Sequence, residues 1–141
     1  MKGQTMDAQL QRSTSNLGTV DAARKVLRTF FNIARAWHLT NGEQEVILGV
    51  SQPTCYRWRN DQVASALSAD TLERLGYVLN IYAALQILLP VQERADAWIK
   101  QPNTAPLFGG ESALKRMLGG RVGDLKVVAD YLDAMRGGEF S

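Results

Sequence analysis

The segment Glu43–Asn60 constrains this chain more than any other. Ahead of it, Thr40-Asn41-Gly42-Glu43 spells a capping box, in which the Thr40 hydroxyl accepts from the Glu43 amide and Glu43 bonds back. That predicts a helix over about Asn41–Leu48. Gly49 then supplies the left-handed residue that a helix stop needs. Val50 plugs the turn, Ser51 caps a following helix, and Pro53 falls in its first turn, where a missing amide hydrogen does little harm. Two short helices joined by so tight a turn form a helix-turn-helix.

The second of these helices is polar, basic and aromatic. At about 100° per residue, Cys55 and Trp58 share one face, which is expected to pack inward. Pro53, Tyr56, Arg57 and Asn60 point away from it, and Gln52 projects from the N-terminus. In such motifs the outer face and N-terminal part of the second helix meet base edges. Gln52 suits adenine and Arg57 suits guanine. Tyr56, Arg59, Asn60 and the amides near Ser51 suit phosphates. The plain alternative is an ordinary exposed helix, but the turn, the cap and the inward spacing agree with DNA contact. One residue departs from the pattern. The fifth position of a helix-turn-helix usually holds a small residue, and here it is Glu45, a charge that must find a partner or swing outward.

Bulk composition adds mainly exclusions. Among 141 residues, 16 are basic and 14 acidic, so a case for nucleic-acid binding rests on where charges sit rather than on net charge. At 45% hydrophobic residues, a packed core is expected. Cys55 is the single cysteine and His38 the single histidine. They exclude an internal disulfide and argue against metal chemistry, and both read as structural residues. No paired-carboxylate, phosphate-loop or metal spacing appears, so neither catalysis nor a cofactor is expected. The chain has no apolar run of membrane-spanning length, and its start lacks a secretory signal. A cytoplasmic location is expected.

No stretch alternates as a strand does, so the fold class is all-α. Residues 1–18 are polar and read as a flexible tail. Thr19 is placed to cap a helix reaching about Trp37, with Ala23, Leu27, Phe30, Ala34 and Trp37 on one face. Arg24, Lys25, Arg28 and Arg35 lie off that stripe and read as a solvated face, with a phosphate contact from one of them as the alternative. Ser68 begins a long helix with an apolar stripe of Leu72, Leu75, Val78, Leu79, Tyr82, Leu85 and Leu89, ended by Pro90. It serves as a hinge and dimer surface, or simply as the central core helix. A short helix over Val91–Lys100 buries Ala95, Trp98 and Ile99. The loop Gln101–Gly110 is pinned through Leu107 and Phe108. A helix over Ser112–Leu118 and a last one over Val122–Arg136, with Leu125, Val128, Leu132 and Met135 inward, complete the chain. The organisation expected is a tail (1–18), a helix-turn-helix domain (19–80) and a second helical domain (81–141). Removing everything after Leu118 is expected to leave residues up to Leu89 able to fold.

The second domain carries a more specific signal. Ala97-Trp98-Ile99-Lys100-Gln101-Pro102-Asn103, then Leu107-Phe108-Gly109-Gly110, then Ser112-Ala113-Leu114 with Met117-Leu118, resembles the toxin-binding domain of the Xre/MbcA/ParS antitoxins. That family has a Trp-Leu-x-x-Pro-Asn segment, a Gly-Gly turn, a short helix and a closing helix rich in Val and Leu. The resemblance runs from about Ile81 to Gly137, and the preceding helix-turn-helix resembles the N-terminal domain of the same antitoxins.

The resemblance implies an all-helical homodimer. It implies an antitoxin that neutralises a cognate toxin, usually a RES-domain protein that consumes NAD, by covering its active site. It also implies repression of its own operon through the helix-turn-helix, so operator DNA is a second partner. Carried over by position, toxin contact falls on the Pro102–Gly110 loop, the final helix and the C-terminal tip. The residues it marks are Asn103, Phe108, Lys115, Arg116, Arg121, Tyr131 and Arg136. The competing reading is a stand-alone transcriptional regulator whose C-terminal half only dimerises or senses a ligand.

Overall fold

The structure is a computed structural model that describes the backbone of residues 2–137 and the side chains of residues 19–137. The chain forms α1 (Lys2–Ala36), α2 (Asn41–Leu48), α3 (Gln52–Arg59), α4 (Ala69–Leu88), α5 (Gln92–Ala97), a tighter helical turn (Trp98–Lys100), α6 (Ala113–Met117) and α7 (Val122–Gly137). The described residues contain no strand, only an isolated bridge between Pro102 and Ser112. The all-α expectation therefore holds.

Local chemistry sets most of the helix ends. Thr40 caps α2 with both bonds of the capping box present: Glu43 N donates to Thr40 Oγ1 at 3.1 Å, and Thr40 N donates to Glu43 Oε1 at 2.8 Å. Gly49 closes α2 at φ 68°, in the left-handed region. Ser51 and Ser68 cap α3 and α4, and Ser112 caps α6. The start of α1 differs from expectation: the helix begins at Lys2, so Thr19 lies inside it rather than at its cap. Residues 2–18 contain no proline and include Met6, Ala8, Gln9, Leu10, Gln11 and Arg12, all good helix formers, so polarity there does not stop the helix. The C-terminal tip, read from sequence as a toxin contact, lies outside the described residues.

The core is one continuous cluster. Leu27 and Phe30 of α1, Trp37 just after it, and Ile47 and Leu48 of α2 join Leu75, Ile81 and Leu85 of α4, and then Ile99, Met117, Leu125 and Leu132. α4 is its axis, packing most extensively on α7 and also on α1, α2 and α5. Of the two roles expected for α4, the central core helix is the one seen within the chain. Its buried face is Thr71, Arg74, Leu75, Val78, Ile81, Ala84 and Leu85. The expected stripe was rotated slightly from this: Leu72 is 51% exposed, because Thr71 and Arg74 take the inward positions at that end. Met135 is likewise 52% exposed, and Ala129 completes the inward face of α7 instead.

α7 covers one side of α4, so the part of the chain up to Leu89 would have part of its core uncovered if it stood alone. Without α7, Ile81 and Leu85, now 0% and 1% exposed, would lose much of their cover.

Arg74 ties the parts together. Its side chain is buried and donates through Nε to Asp70 Oδ2 (2.8 Å). Nη1 reaches the carbonyls of Val46 (3.3 Å) and Ile47 (3.4 Å), and Nη2 reaches Gly120 O (3.0 Å). The Val46 and Ile47 carbonyls are among the last four of α2, which have no partner within the helix. One guanidinium thus stops α2, anchors it to α4 and holds the turn between α6 and α7.

Candidate functional site

The residues marked by the sequence fall on two surfaces, one on α2–α3 and one on the C-terminal helices. The first is an open cleft of about 350 Å³ lined by Asn41, Glu45, Gln52, Pro53, Tyr56, Arg57 and Arg59. It collects five of the seven residues that the sequence assigns to DNA. Tyr56 is 62% exposed, and Arg57 is exposed with Nη2 on Thr54 Oγ1 at 3.2 Å. Ser51 stands at the N-cap with its hydroxyl toward Thr54. Asn60 ends α3, and its side-chain Nδ2 donates to Tyr56 O at 2.9 Å, so part of its amide already serves the helix end.

Arg59 is placed differently from its neighbours. Nε and Nη2 both donate to Gln44 Oε1, at 3.2 and 3.0 Å, and the guanidinium lies 5.7 Å from the Phe31 ring centroid. Nη2 also lies 3.3 Å from Cys55 Sγ. Gln44 is buried and donates from Nε2 to Leu39 O at 3.0 Å. The helix crossing is therefore held by a Gln44–Arg59 pair. Glu45 turns aside and is half-buried on the cleft wall, which is how the motif accommodates a charge at that position. Cys55 is fully buried as expected, and burial pushes its thiol above the usual range, with the Arg59 charge opposing. Trp58 is half-buried.

The second surface is built around an aromatic set. Trp98 stacks on Tyr131 (centroids 6.3 Å apart, planes at 22°), and Phe108 meets both edge-on, at 6.0 Å from Trp98 and 5.2 Å from Tyr131. The set pins the Pro102–Gly110 loop to α7. Asn103 closes that loop: its Oδ1 accepts from Ala105 N at 2.9 Å, and its backbone pairs with Glu111 and Gly110. Gly109 and Gly110 have φ of 56° and 90°, which the Gly-Gly turn supplies without strain. Phe108 is only 6% exposed, so it forms the floor of this surface and offers little area to a partner.

The basic residues sit apart from the aromatics. Lys115 pairs with Glu111 at 3.3 Å, and Arg116 Nε with Asp124 Oδ1 at 3.1 Å. The other Asp124 oxygen accepts from Arg121 N at 3.1 Å, which starts α7. The Arg121 and Arg136 side chains are exposed and unpaired among the described residues. They lie fifteen residues apart on the sequence, or about 22 Å along a helix at 1.5 Å per residue. The seven residues taken from the resemblance thus form an aromatic patch, a basic corner at α6–α7 and one distant arginine.

Residues 17–80 match the model of the antitoxin Xre-like helix-turn-helix domain. Residues 84–138 match the antitoxin Xre/MbcA/ParS C-terminal toxin-binding domain. The chain is also 46% identical over 113 residues to an uncharacterized protein, y4oB, of Sinorhizobium fredii, a match spanning 79% of this chain and 84% of that one. The chain belongs to the Xre/MbcA/ParS antitoxins.

In this antitoxin the two matched domains meet inside one helix. The first match ends at residue 80 and the second begins at 84, both within α4. Among the described residues no group of three or more His, Cys, Asp or Glu is placed to hold a metal, and no helix is long and apolar enough to cross a membrane. Sequence reasoning missed Asn41 and Gln44. The 41/45 pair on one face of α2 carried a signal for the first, since i and i+4 are neighbours. Nothing in the residue type marked Gln44 as buried.

Proposed function

We propose that this antitoxin neutralises a cognate RES-type, NAD-consuming toxin and represses its own operon through α3, working as a homodimer. The toxin-binding match over 84–138 carries the first part. The RES class follows from the resemblance of the Trp98–Gly110 segment to partners of such toxins. The contact surface we assign is the rim of the aromatic set at Tyr131 and Asn103, the corner of Lys115, Arg116 and Arg121, and Arg136, with Phe108 supporting from below.

The exposed α3 face carries the second part. Gln52, Tyr56 and Arg57 border one open cleft, whose wall Arg59 shares, while Cys55 is buried behind them. In this reading Gln52 and Arg57 face base edges, and Ser51, Tyr56 and Asn60 lie against phosphates. Arg59 contributes by holding α3 against Gln44 rather than by direct contact.

Co-expression with the product of the neighbouring gene tests the antitoxin role. Growth should be restored and NAD retained, and the two proteins should co-purify. Absence of protection against any neighbouring product would leave the stand-alone regulator as the better account. Gel-shift titration on the DNA upstream of the gene tests repression: affinity should fall steeply with salt, and Arg57→Ala should cost roughly 1–3 kcal/mol of specific binding.

A further inference from the structure

A second cleft lies beside the base-reading face, between α1 and the chain that follows α3. It is open, about 490 Å³, and lined by Arg24, Thr54, Arg57, Trp58 and the segment Gln62–Ser65. Its lining contains two arginines and no carboxylate. Asp61, next to Gln62 in the chain, is already occupied: Arg28 Nε and Nη2 donate to its two oxygens at 3.2 and 2.9 Å. That pair holds the Asp61 carboxyl below its usual range, with Arg24 adding only a minor pull. The Arg24 charge is therefore left without a hydrogen-bonded acid.

Asp61 takes φ 63°, which reverses the chain and lays residues 62–65 alongside α1. The amides of Ala64 and Ser65, the Ser65 hydroxyl and the Trp58 indole N–H donate to nothing among the described residues. Donors without acceptors around two guanidinium groups suit a group that only accepts and is negatively charged. Arg57 borders this cleft and the base-reading cleft alike, so a ligand here is continuous with whatever α3 reads.

We propose that this cleft seats a backbone phosphate of the bound DNA, with Arg24 as a phosphate-positioning residue that sets the register of α3. The proposal rests on the DNA reading of α3. A phosphate contact fixes position without reading sequence. Arg24 should therefore act on every duplex equally, whereas Gln52 should act only on the preferred one.

The test uses the full chain with two labelled duplexes, the DNA upstream of its own gene and a shuffled duplex of the same length, titrated by fluorescence anisotropy across a salt series. Arg24→Gln should keep wild-type helicity by circular dichroism. It should weaken both duplexes by a similar factor, roughly 3–10-fold, and lower the salt slope by about one. Arg24→Lys should restore most of the slope. Gln52→Ala should weaken only the upstream duplex. An Arg24→Gln protein with unchanged affinity and slope, or one impaired on the upstream duplex alone, overturns the proposal while the DNA reading stands. A wild-type chain that binds neither duplex overturns both.

Discussion

The contact between Gly49 and Arg74 allows a quantitative test of how the helix-turn-helix is held. An added Cβ at Gly49 would lie 2.7 Å from Arg74 Cζ and Nε and 3.0 Å from Nη1. Gly49→Ala therefore acts twice. Its φ of 68° costs an alanine roughly 1–2 kcal/mol. The guanidinium must also retreat from the Val46, Ile47 or Gly120 carbonyls, and a charged hydrogen bond lost there is worth about 1.5–3 kcal/mol. The expected sum is about 2.5–5 kcal/mol in urea unfolding.

Arg74→Met supplies the control, since it keeps an unbranched stem without donors. In that background Gly49→Ala should cost only the backbone part, roughly 1–2 kcal/mol. The double-mutant cycle should then show a coupling of about 1.5–3 kcal/mol. Costs that add to within about 0.5 kcal/mol would refute the idea that Arg74 is what excludes a side chain at Gly49.

Other expectations can be checked with the same preparations. Phe108→Ala should destabilise the chain by about 3–5 kcal/mol, because a ring 6% exposed leaves a cavity between Trp98 and Tyr131; little change in the denaturation midpoint would show that the loop is not pinned there. Truncation after Leu118 should unfold the whole chain, helix-turn-helix included, and a truncated protein with a cooperative thermal transition would contradict the single core. Asp61 is held below its usual range by Arg28, so the pair stabilises the fold above the ordinary aspartate value, and that contribution is lost as pH falls through the lower folded value. Asp61→Asn tolerates the same left-handed backbone and should flatten this part of the acid-unfolding profile; an unchanged profile would argue against it. Cys55 is buried with its thiol pushed up, so alkylation at pH 8 should be slow in the native chain and rapid in urea, and fast native labelling would mean that α3 opens readily.

Much of the fold could be read from the sequence because its helix ends are written in short-range chemistry. The Thr40–Glu43 box, Gly49, Ser51 and Ser68 each act within four residues, and each helix end they mark matches the structure. The same reasoning failed where the outcome is decided by distant parts. Leu72 and Arg74 sit two residues apart, and hydrophobicity alone places the leucine inside. The arginine takes the interior because carbonyls from α2 and from the α6–α7 turn converge there to meet it. Arg59 shows the same limit in part: its residue type suits a phosphate, and only the packed position of Gln44 reveals that its guanidinium also ties α3 to α2. The α3 face at Gln52, Tyr56 and Arg57 was legible because an exposed helix face needs no tertiary information beyond the direction of the core.

The continuity of α4 also bears on how such an antitoxin can be re-engineered. Regulators joined by a linker can trade effector domains at the joint, since few contacts cross it. Here the boundary between the two matched regions falls in mid-helix, flanked by Val78, Ile81, Ala84 and Leu85, all buried. A chimera that imports a foreign C-terminal half must reproduce the packing of α7 on α4 and offer a carbonyl where Gly120 stands. Swapping specificity for a partner is then a matter of repainting the surface of α6 and α7, while the helix-turn-helix half is inherited with the scaffold.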